Sequence, residues 1–278
     1  MLNQHEAEEF AAKSAWVLDV DDCLYDIDDG LHDFIQGNIT TTFNNLVSGT
    51  AFGQDVVARF EQLIIGQGVS VVDPRHIERT DLSVAFPLIV RAIQDAAPTQ
   101  FDECMAAFYG DRYDLIEPEP KLVDAFRQAQ AKGVAIFFYT NGPSGNKPGS
   151  HLHLQKVLQR RGFDSAFIEL SRARAYDLQM SVRAGRGKPT PKGMRDFLDY
   201  SGIDPHDALM ADDQIKNLKT AHDAGLKSLW TWTTNRVPPA ADTDIACGIG
   251  AVRVRHTADT LHQIATARLN SPALKRTG

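Results

Sequence analysis

Asp19 and Asp21 sit at the end of a hydrophobic run, Ala15-Trp16-Val17-Leu18, and open the string Asp19-Val20-Asp21-Asp22-Cys23-Leu24-Tyr25. Residues two apart in a strand point to the same side, so both carboxyls would face one way where the strand gives out into a polar turn. One carboxylate can attack an electrophile while its neighbour moves a proton. Open α/β sheets gather their ligands at this carboxyl edge. Acidic residues after a strand are common, so the pair means chemistry only if other residues converge on it.

Three later strings offer such residues. Phe137-Phe138-Tyr139-Thr140-Asn141-Gly142 ends a buried strand in a hydroxyl, an amide and a glycine, which can present the Thr140 hydroxyl and backbone N–H groups to a phosphate oxygen. An ordinary strand-to-turn transition, which Asn-Gly favours, explains the same string. Gly185-Arg186-Gly187-Lys188-Pro189-Thr190-Pro191 holds a lysine on a constrained backbone, so its ammonium can be aimed at a phosphoryl group and nearby carboxylates. A solvated loop lysine is the plainer reading; the flanking prolines and the helix starting near Pro191 count against it. Ala208-Leu209-Met210-Ala211-Asp212-Asp213-Gln214-Ile215-Lys216-Asn217 again ends a strand in carboxylates, followed by the positive N-terminus of a helix. Oxygen donors of this kind suit magnesium, and Asp213 can cap the helix at the same time.

The elements that would hold these residues follow from hydrophobic periodicity. Strands are expected at 16–20, 134–139, 167–170, 208–211 and 228–231, with a further one at 251–254. Helices are expected at 119–132, 151–161, 191–201, 215–224 and 257–269. This alternation predicts a parallel sheet with helices on both faces. Between the first strand and this series the pattern turns wholly helical: Leu31, Phe34, Ile35, Ile39 and Phe43 recur at helical spacing, as do Val56, Val57, Phe60, Leu63 and Ile64. Val84, Leu88, Ile89 and Ile93 mark another helix. The expected organisation is a polar leader at 1–14, an α/β core at 15–27 and 114–278, and an inserted helical cap at 28–113.

Bulk composition narrows the function. The chain has 278 residues, 43% hydrophobic and 23% charged, as ordinary soluble domains do. A formal charge of −7 argues against a general affinity for nucleic acid polymers, and anionic substrates would need a locally positive site. Cys23, Cys104 and Cys247 are odd in number and scattered, which argues against a disulfide framework and for a reducing compartment. With an acidic N-terminus and no apolar run long enough to span a bilayer, a cytoplasmic protein without membrane association is expected.

With the four strings in the order Asp pair, Thr, Lys, Asp pair, the chain resembles the haloacid dehalogenase-like hydrolase superfamily across roughly residues 15–233. It is more closely similar to the pyrimidine 5′-nucleotidase-like phosphatases. They carry an Asp-x-Asp-x-Thr-Leu-Tyr start, a Thr-Asn-Gly-Pro second motif and an Asp-Asp-x-x-x-Asn fourth motif, matched here by Asp19 to Tyr25, Thr140 to Pro143 and Asp212 to Asn217. Tyr113-Asp114-Leu115-Ile116-Glu117-Pro118 resembles the segment by which such chains re-enter the core.

The resemblance implies a doubly wound parallel sheet (a Rossmann-like hydrolase core) with an inserted all-helical cap. Asp19 would be the nucleophile that forms an aspartyl-phosphate, and Asp21 the proton donor and then the base. Mg2+ would be held by the Asp19 carboxylate, the Asp21 backbone carbonyl and Asp212, with Asp213 assisting. Thr140 and Asn141 would bind phosphoryl oxygens, Lys188 would neutralise charge on Asp19 and the phosphate, and Asn217 would orient the fourth motif. Dehalogenases of this superfamily lack the second aspartate, since a leaving halide needs no proton, so Asp21 favours a phosphatase or phosphomutase over a dehalogenase. A cap between the first and second motifs usually closes over small phosphorylated metabolites. A nucleoside 5′-monophosphate is the leading substrate; a sugar phosphate, phosphoglycolate, or a non-catalytic regulatory protein keeping the fold are the alternatives.

Two departures from the pattern stand out. Cys23 takes the place of the usual threonine; its thiol is a weaker hydrogen-bonding group, and with no histidine nearby in sequence it makes a poor nucleophile. The polar loop 144–150 follows the second motif directly and could bring Lys147 to the substrate or simply be solvated. Arg172, Arg174, Arg183 and Arg186 precede Lys188 in an otherwise acidic chain, either as a solvated face or as a positive rim drawing in anions.

Overall fold

The computed structural model describes residues 1–25, 31–66, 82–109, 112–140, 153–174, 188–232 and 238–270. These fall into two compact units, one drawn from residues 1–27, 116–148 and 152–278, the other from 28–115. The expected polar leader is instead a packed helix, α1 (Gln4–Ala11). Asn3 Oδ1 accepts from Glu6 N while Glu6 Oε2 accepts from Asn3 N, at 2.9 and 2.8 Å, a reciprocal cap that satisfies two helix-terminal donors. Ala7, Phe10 and Ala11 fall on one face and are buried. Arg268 then ties down the exit by donating to the carbonyls of Ala11 and Lys13.

Among its described residues the second unit is built of helices joined by turns: α2 (Leu31–Gly49), α3 (Gly53–Gly66), α4 (Leu82–Ala96), α5 (Phe101–Tyr109) and a closing 3-10 turn, Arg112–Leu115. Its stripes face one another. Ile39, Phe43, Val56, Phe60, Ile89 and Ile93 are all buried, and the Phe43 and Phe60 rings lie 5.3 Å apart. A Cβ on Gly53 would stand 1.8 Å from the Val47 carbonyl oxygen, so the α2–α3 corner requires glycine.

In the first unit, β1 (Ala15–Leu18), β2 (Ala135–Phe138), β3 (Ala208–Asp212), β4 (Lys227–Thr231) and β5 (Val252–Val254) form one parallel sheet in the order β2-β1-β3-β4-β5. Parallel strands covered on both faces read as unbroken apolar runs, and all four residues of β1 are buried. Leu18 is level with Phe138 on one side and Ala211 on the other. Asp19, Thr140 and Asp212 therefore leave the sheet at one edge. The chain passes from β1 to β2 on one side and then crosses to β3 on the other side of β1, so the crevice of a doubly wound sheet opens between the ends of β1 and β3.

Two aromatic layers fix the sheet. On one face Phe126 of α6 (Pro120–Ala131) packs against Trp16, Phe138, Phe163 and Phe167, with centroids 5.1 to 6.4 Å away. The strand expected at 167–170 is a helix instead: α7 (His153–Arg161) is followed by α8 (Ser165–Arg174). Asp164 Oδ1 caps the first turn of α8 by accepting from Phe167 N at 2.8 Å. The helical turn brings Phe167 over Phe163, rings 4.5 Å apart, which an extended segment would have kept separate.

On the other face Phe197 of α9 (Pro191–Ser201) meets Tyr139 and Phe137 at 4.8 and 6.0 Å, beside Val17 and Met210. Helices α10 (Ile215–Asp223) and α11 (Ala240–Gly248) extend this layer, and α12 (Thr257–Asn270) packs on α6 and α1 across the sheet. No helix of the described residues is long and apolar enough to cross a membrane.

Candidate active site

Two strand ends and one helix start deliver the charged groups. β1 stops at Leu18, two residues short of the expected end, because the Val20 N–H turns to Asp19 Oδ1 at 2.8 Å rather than to a neighbouring strand. Asp19 N still donates to Ala211 O, so the side chain stands on the sheet's own frame. Lys188 lies just before α9. Thr190 caps that helix by accepting from Gly193 N at 3.1 Å, Pro191 supplies a preset first-turn angle, and Thr220 Oγ1 donates to the Pro189 carbonyl at 2.6 Å. So braced, the Lys188 ammonium stands 2.7 Å from Asp19 Oδ1 and 2.8 Å from Asp212 Oδ2. Its side chain is 3% exposed.

Asp212 is held from the other direction. Its Oδ1 accepts from Gln214 N and from Asn217 Nδ2, both at 2.8 Å. Asn217 comes from α10, one turn beyond the strand end, and so fixes the carboxylate's rotation. Asp213 accepts from the Gln214 side chain, and Trp230 Nε1 donates to the Asp213 carbonyl at 2.8 Å, fixing its backbone. Asp19, Asp212 and Asp213 each offer an oxygen within 4.8 Å of the others.

The electrostatics of this cluster are one-sided. Burial pushes Asp19 up from its ordinary carboxylate value, and the charges of Asp212 and Asp21 add to that against the pull of Lys188. Asp213 is raised well above the ordinary value, by burial first and then by Asp212 and Asp19. For Lys188 burial works against the charge, but Asp19 and Asp212 outweigh it and hold the ammonium above the usual lysine range. Full ionisation of three carboxyls beside one ammonium would leave two negative charges uncompensated in a low-dielectric site, which is why the proton is held. A divalent cation with a taste for hard oxygen donors fits that excess, and magnesium takes one or two carboxylates of this kind. Asn217 Oδ1, buried and without a hydrogen-bond partner, lies beside the set.

Other expected residues take clear places. Asp21 is at the same edge, where its Oδ1 accepts from the Tyr25 hydroxyl at 2.5 Å. Thr140 is buried just past β2. Cys23 is buried with Sγ 3.7 Å from the Ala211 carbonyl, and burial, with Asp19 and Asp212 nearby, pushes its thiol well above its ordinary range. That is an inert structural thiol. Asn141, the 144–150 loop with Lys147, and Arg183 and Arg186 lie outside the described residues, as do the side chains of Arg172 and Arg174.

Several supports were not legible as site residues: the Tyr25 hydroxyl on Asp21, the Trp230 indole on the Asp213 backbone, and the Tyr139 ring, 5.8 Å from the Lys188 ammonium. Tyr25 alone carried a signal, four residues beyond Asp21 inside the first string.

A family model described as haloacid dehalogenase-like hydrolase matches residues 14–225. No curated protein matches the chain. Among solved structures the fold is similar to a Thermotoga maritima protein provisionally assigned as a β-phosphoglucomutase, at 13% identity and TM-score 0.50, over 89% of this chain and 96% of that one. It is similar to the L-2-haloacid dehalogenase RSc1362 at 15% identity and TM-score 0.50, over 92% and 99%. A Deinococcus radiodurans hydrolase of the same family, solved with bound phosphate and sodium, matches at 17% identity and TM-score 0.49, over 94% and 99%. At these identities the likeness is one of fold.

Proposed function

This chain belongs to the haloacid dehalogenase-like hydrolase family, and we propose that within it the chain is a magnesium-dependent phosphomonoester hydrolase working through an aspartyl-phosphate. The observation that carries this reading is the buried Lys188 ammonium between Asp19 Oδ1 and Asp212 Oδ2, at 2.7 and 2.8 Å. A fixed cation in a dry site acts most strongly where negative charge gathers on phosphoryl oxygens, and it costs no reorganisation as the reaction proceeds.

Asp19 attacks phosphorus, and the bond to the leaving oxygen breaks as Asp21 gives that oxygen a proton. Asp21, now a carboxylate, takes a proton from the water that attacks phosphorus in the second half, releasing phosphate and restoring Asp19. Lys188 offsets charge shared by Asp19 and the phosphoryl group. Thr140 and Asn141 bind phosphoryl oxygens, and Asn217 keeps Asp212 in one rotamer. Asp19, the Asp21 backbone carbonyl and Asp212, with Asp213 alongside, would hold Mg2+. That ion, when bound, neutralises charge on the transferring group.

Asp21 is what favours phosphate over halide chemistry, since a halide leaves without a proton. The substrate is proposed to be a small phosphorylated metabolite in the cytoplasm, first a nucleoside 5′-monophosphate, on the strength of the strings from Asp19, Thr140 and Asp212. A panel of pyrimidine and purine nucleotides and sugar phosphates, compared by kcat/KM with Mg2+, tests this. Pyrimidine nucleotides should lead. A flat profile removes the nucleotidase assignment and leaves the phosphatase, whereas no phosphate release from any member removes both.

A further inference from the structure

Just past β1 the chain makes a tight turn with Asp22 in the left-handed region (φ 56°), in which Leu24 N and Cys23 N donate to the Val20 carbonyl at 2.9 and 3.4 Å. The turn folds Tyr25 back onto Asp21, four residues earlier. The Tyr25 hydroxyl donates to Asp21 Oδ1 at 2.5 Å, and the residue is 7% exposed. The exit of the turn is pinned from α7: Arg161 Nε donates to the Leu24 carbonyl and its Nη1 to the Glu117 carbonyl, both at 2.7 Å. A buried tyrosine hydroxyl needs some partner, and a carbonyl would serve packing equally well. Here the partner is the carboxyl next to Asp19.

We infer that Tyr25 is a positioning residue for the proton-transfer carboxyl of Asp21, a role that rests on the phosphatase reading above. With Oδ1 engaged by a donor, rotation of the carboxyl is restricted and the transferable proton is carried on Oδ2. In the first half-reaction that proton passes from Oδ2 to the leaving oxygen as the phosphorus–oxygen bond breaks and its electron pair goes to that oxygen. In the second half Oδ2 takes a proton from the attacking water. Tyr25 keeps its own proton throughout and touches no reacting atom.

The test compares wild type with Tyr25→Phe on phenyl phosphate and 4-nitrophenyl phosphate in the presence of Mg2+. The basic phenol needs its proton as it leaves, and 4-nitrophenol largely does not. Because kcat/KM covers only the first phosphoryl transfer, slow hydrolysis of the intermediate does not enter it. Loss of oriented proton donation should lower kcat/KM about tenfold for phenyl phosphate and less than about threefold for 4-nitrophenyl phosphate, part of the range open to general acid catalysis. In an Asp21→Asn background the same Tyr25→Phe change should add nothing, since residues acting as one unit are not additive. An equal loss on both substrates, or a loss that persists in the Asp21→Asn background, overturns the positioning role while leaving the phosphatase intact. Absence of turnover by wild type on either substrate overturns both.

Discussion

Lys188 and Asp19 meet at 2.7 Å with their side chains only 3% and 9% exposed, an ion pair shut away from water. The same ammonium also reaches Asp212, so one positive charge serves two strand ends. A buried charge is tolerated when paired, and costs several kcal/mol when its partner is removed.

Lys188→Met keeps most of the apolar stem and removes the charge. Turnover should fall about 10²–10³-fold, the usual loss for one such electrostatic contact. Thermal stabilisation by Mg2+ should persist, because the carboxylates that favour the ion remain. Steady-state rates and melting curves with and without Mg2+ check both halves. Near-normal turnover would remove Lys188 from the chemistry.

The raised carboxyls give a pH dependence whose sign can be worked out. In the metal-free folded chain Asp19 and Asp213 hold their protons to higher pH than in the unfolded chain. Between the ordinary carboxylate value and the raised one, the folded state binds more protons, so stability falls as pH rises. Lys188 is shifted upward from an already high range and leaves this window alone. Urea unfolding in chelator from about pH 5 to 8 should show the decline, shallower in Asp213→Asn and largely removed by saturating Mg2+. A wild-type profile no steeper than that of Asp213→Asn would contradict the charge excess.

Phe126 joins β1, β2 and the region around α8 through its contacts with Trp16, Phe138, Phe163 and Phe167. Phe126→Ala should destabilise the chain by about 3–5 kcal/mol, as large aromatic truncations in cores do. Chemical denaturation measures this directly. A loss below about 1 kcal/mol would mean that the layer does not carry the sheet.

Thr190→Ala removes the cap of α9 and should cost about 1 kcal/mol of stability. Since Lys188 enters that helix two residues earlier, kcat should drop several-fold beyond what unfolding explains. Equal loss of stability and no loss of kcat would show that the helix start does not aim the lysine.

The charged residues were legible because each ends a strand or opens a helix in a fixed chain order. Asp19, Lys188 and Asp212 could be named from that order, and the structure brings them together. The segment 167–170 was not legible: Phe167 and Ile168 have strand-like side chains, and only the packing of Phe167 on Phe163 and the Asp164 cap turn it helical. The N-terminal helix could have been read from Asn3 and Glu6 with Ala7, Phe10 and Ala11 behind them, but its charge hid the apolar face. The Tyr25 bond to Asp21 depends on a turn geometry that no local preference dictates.

The central claim is that Asp19 carries the phosphoryl group. Wild type mixed with 4-nitrophenyl phosphate and Mg2+, quenched in acid during turnover and digested, should yield one peptide heavier by a phosphoryl group, with fragmentation placing it on Asp19. The label should be absent from Asp19→Asn, which should also release no 4-nitrophenol above background. Wild-type turnover with the label on another residue, or an Asp19→Asn variant as active as wild type, would contradict the account.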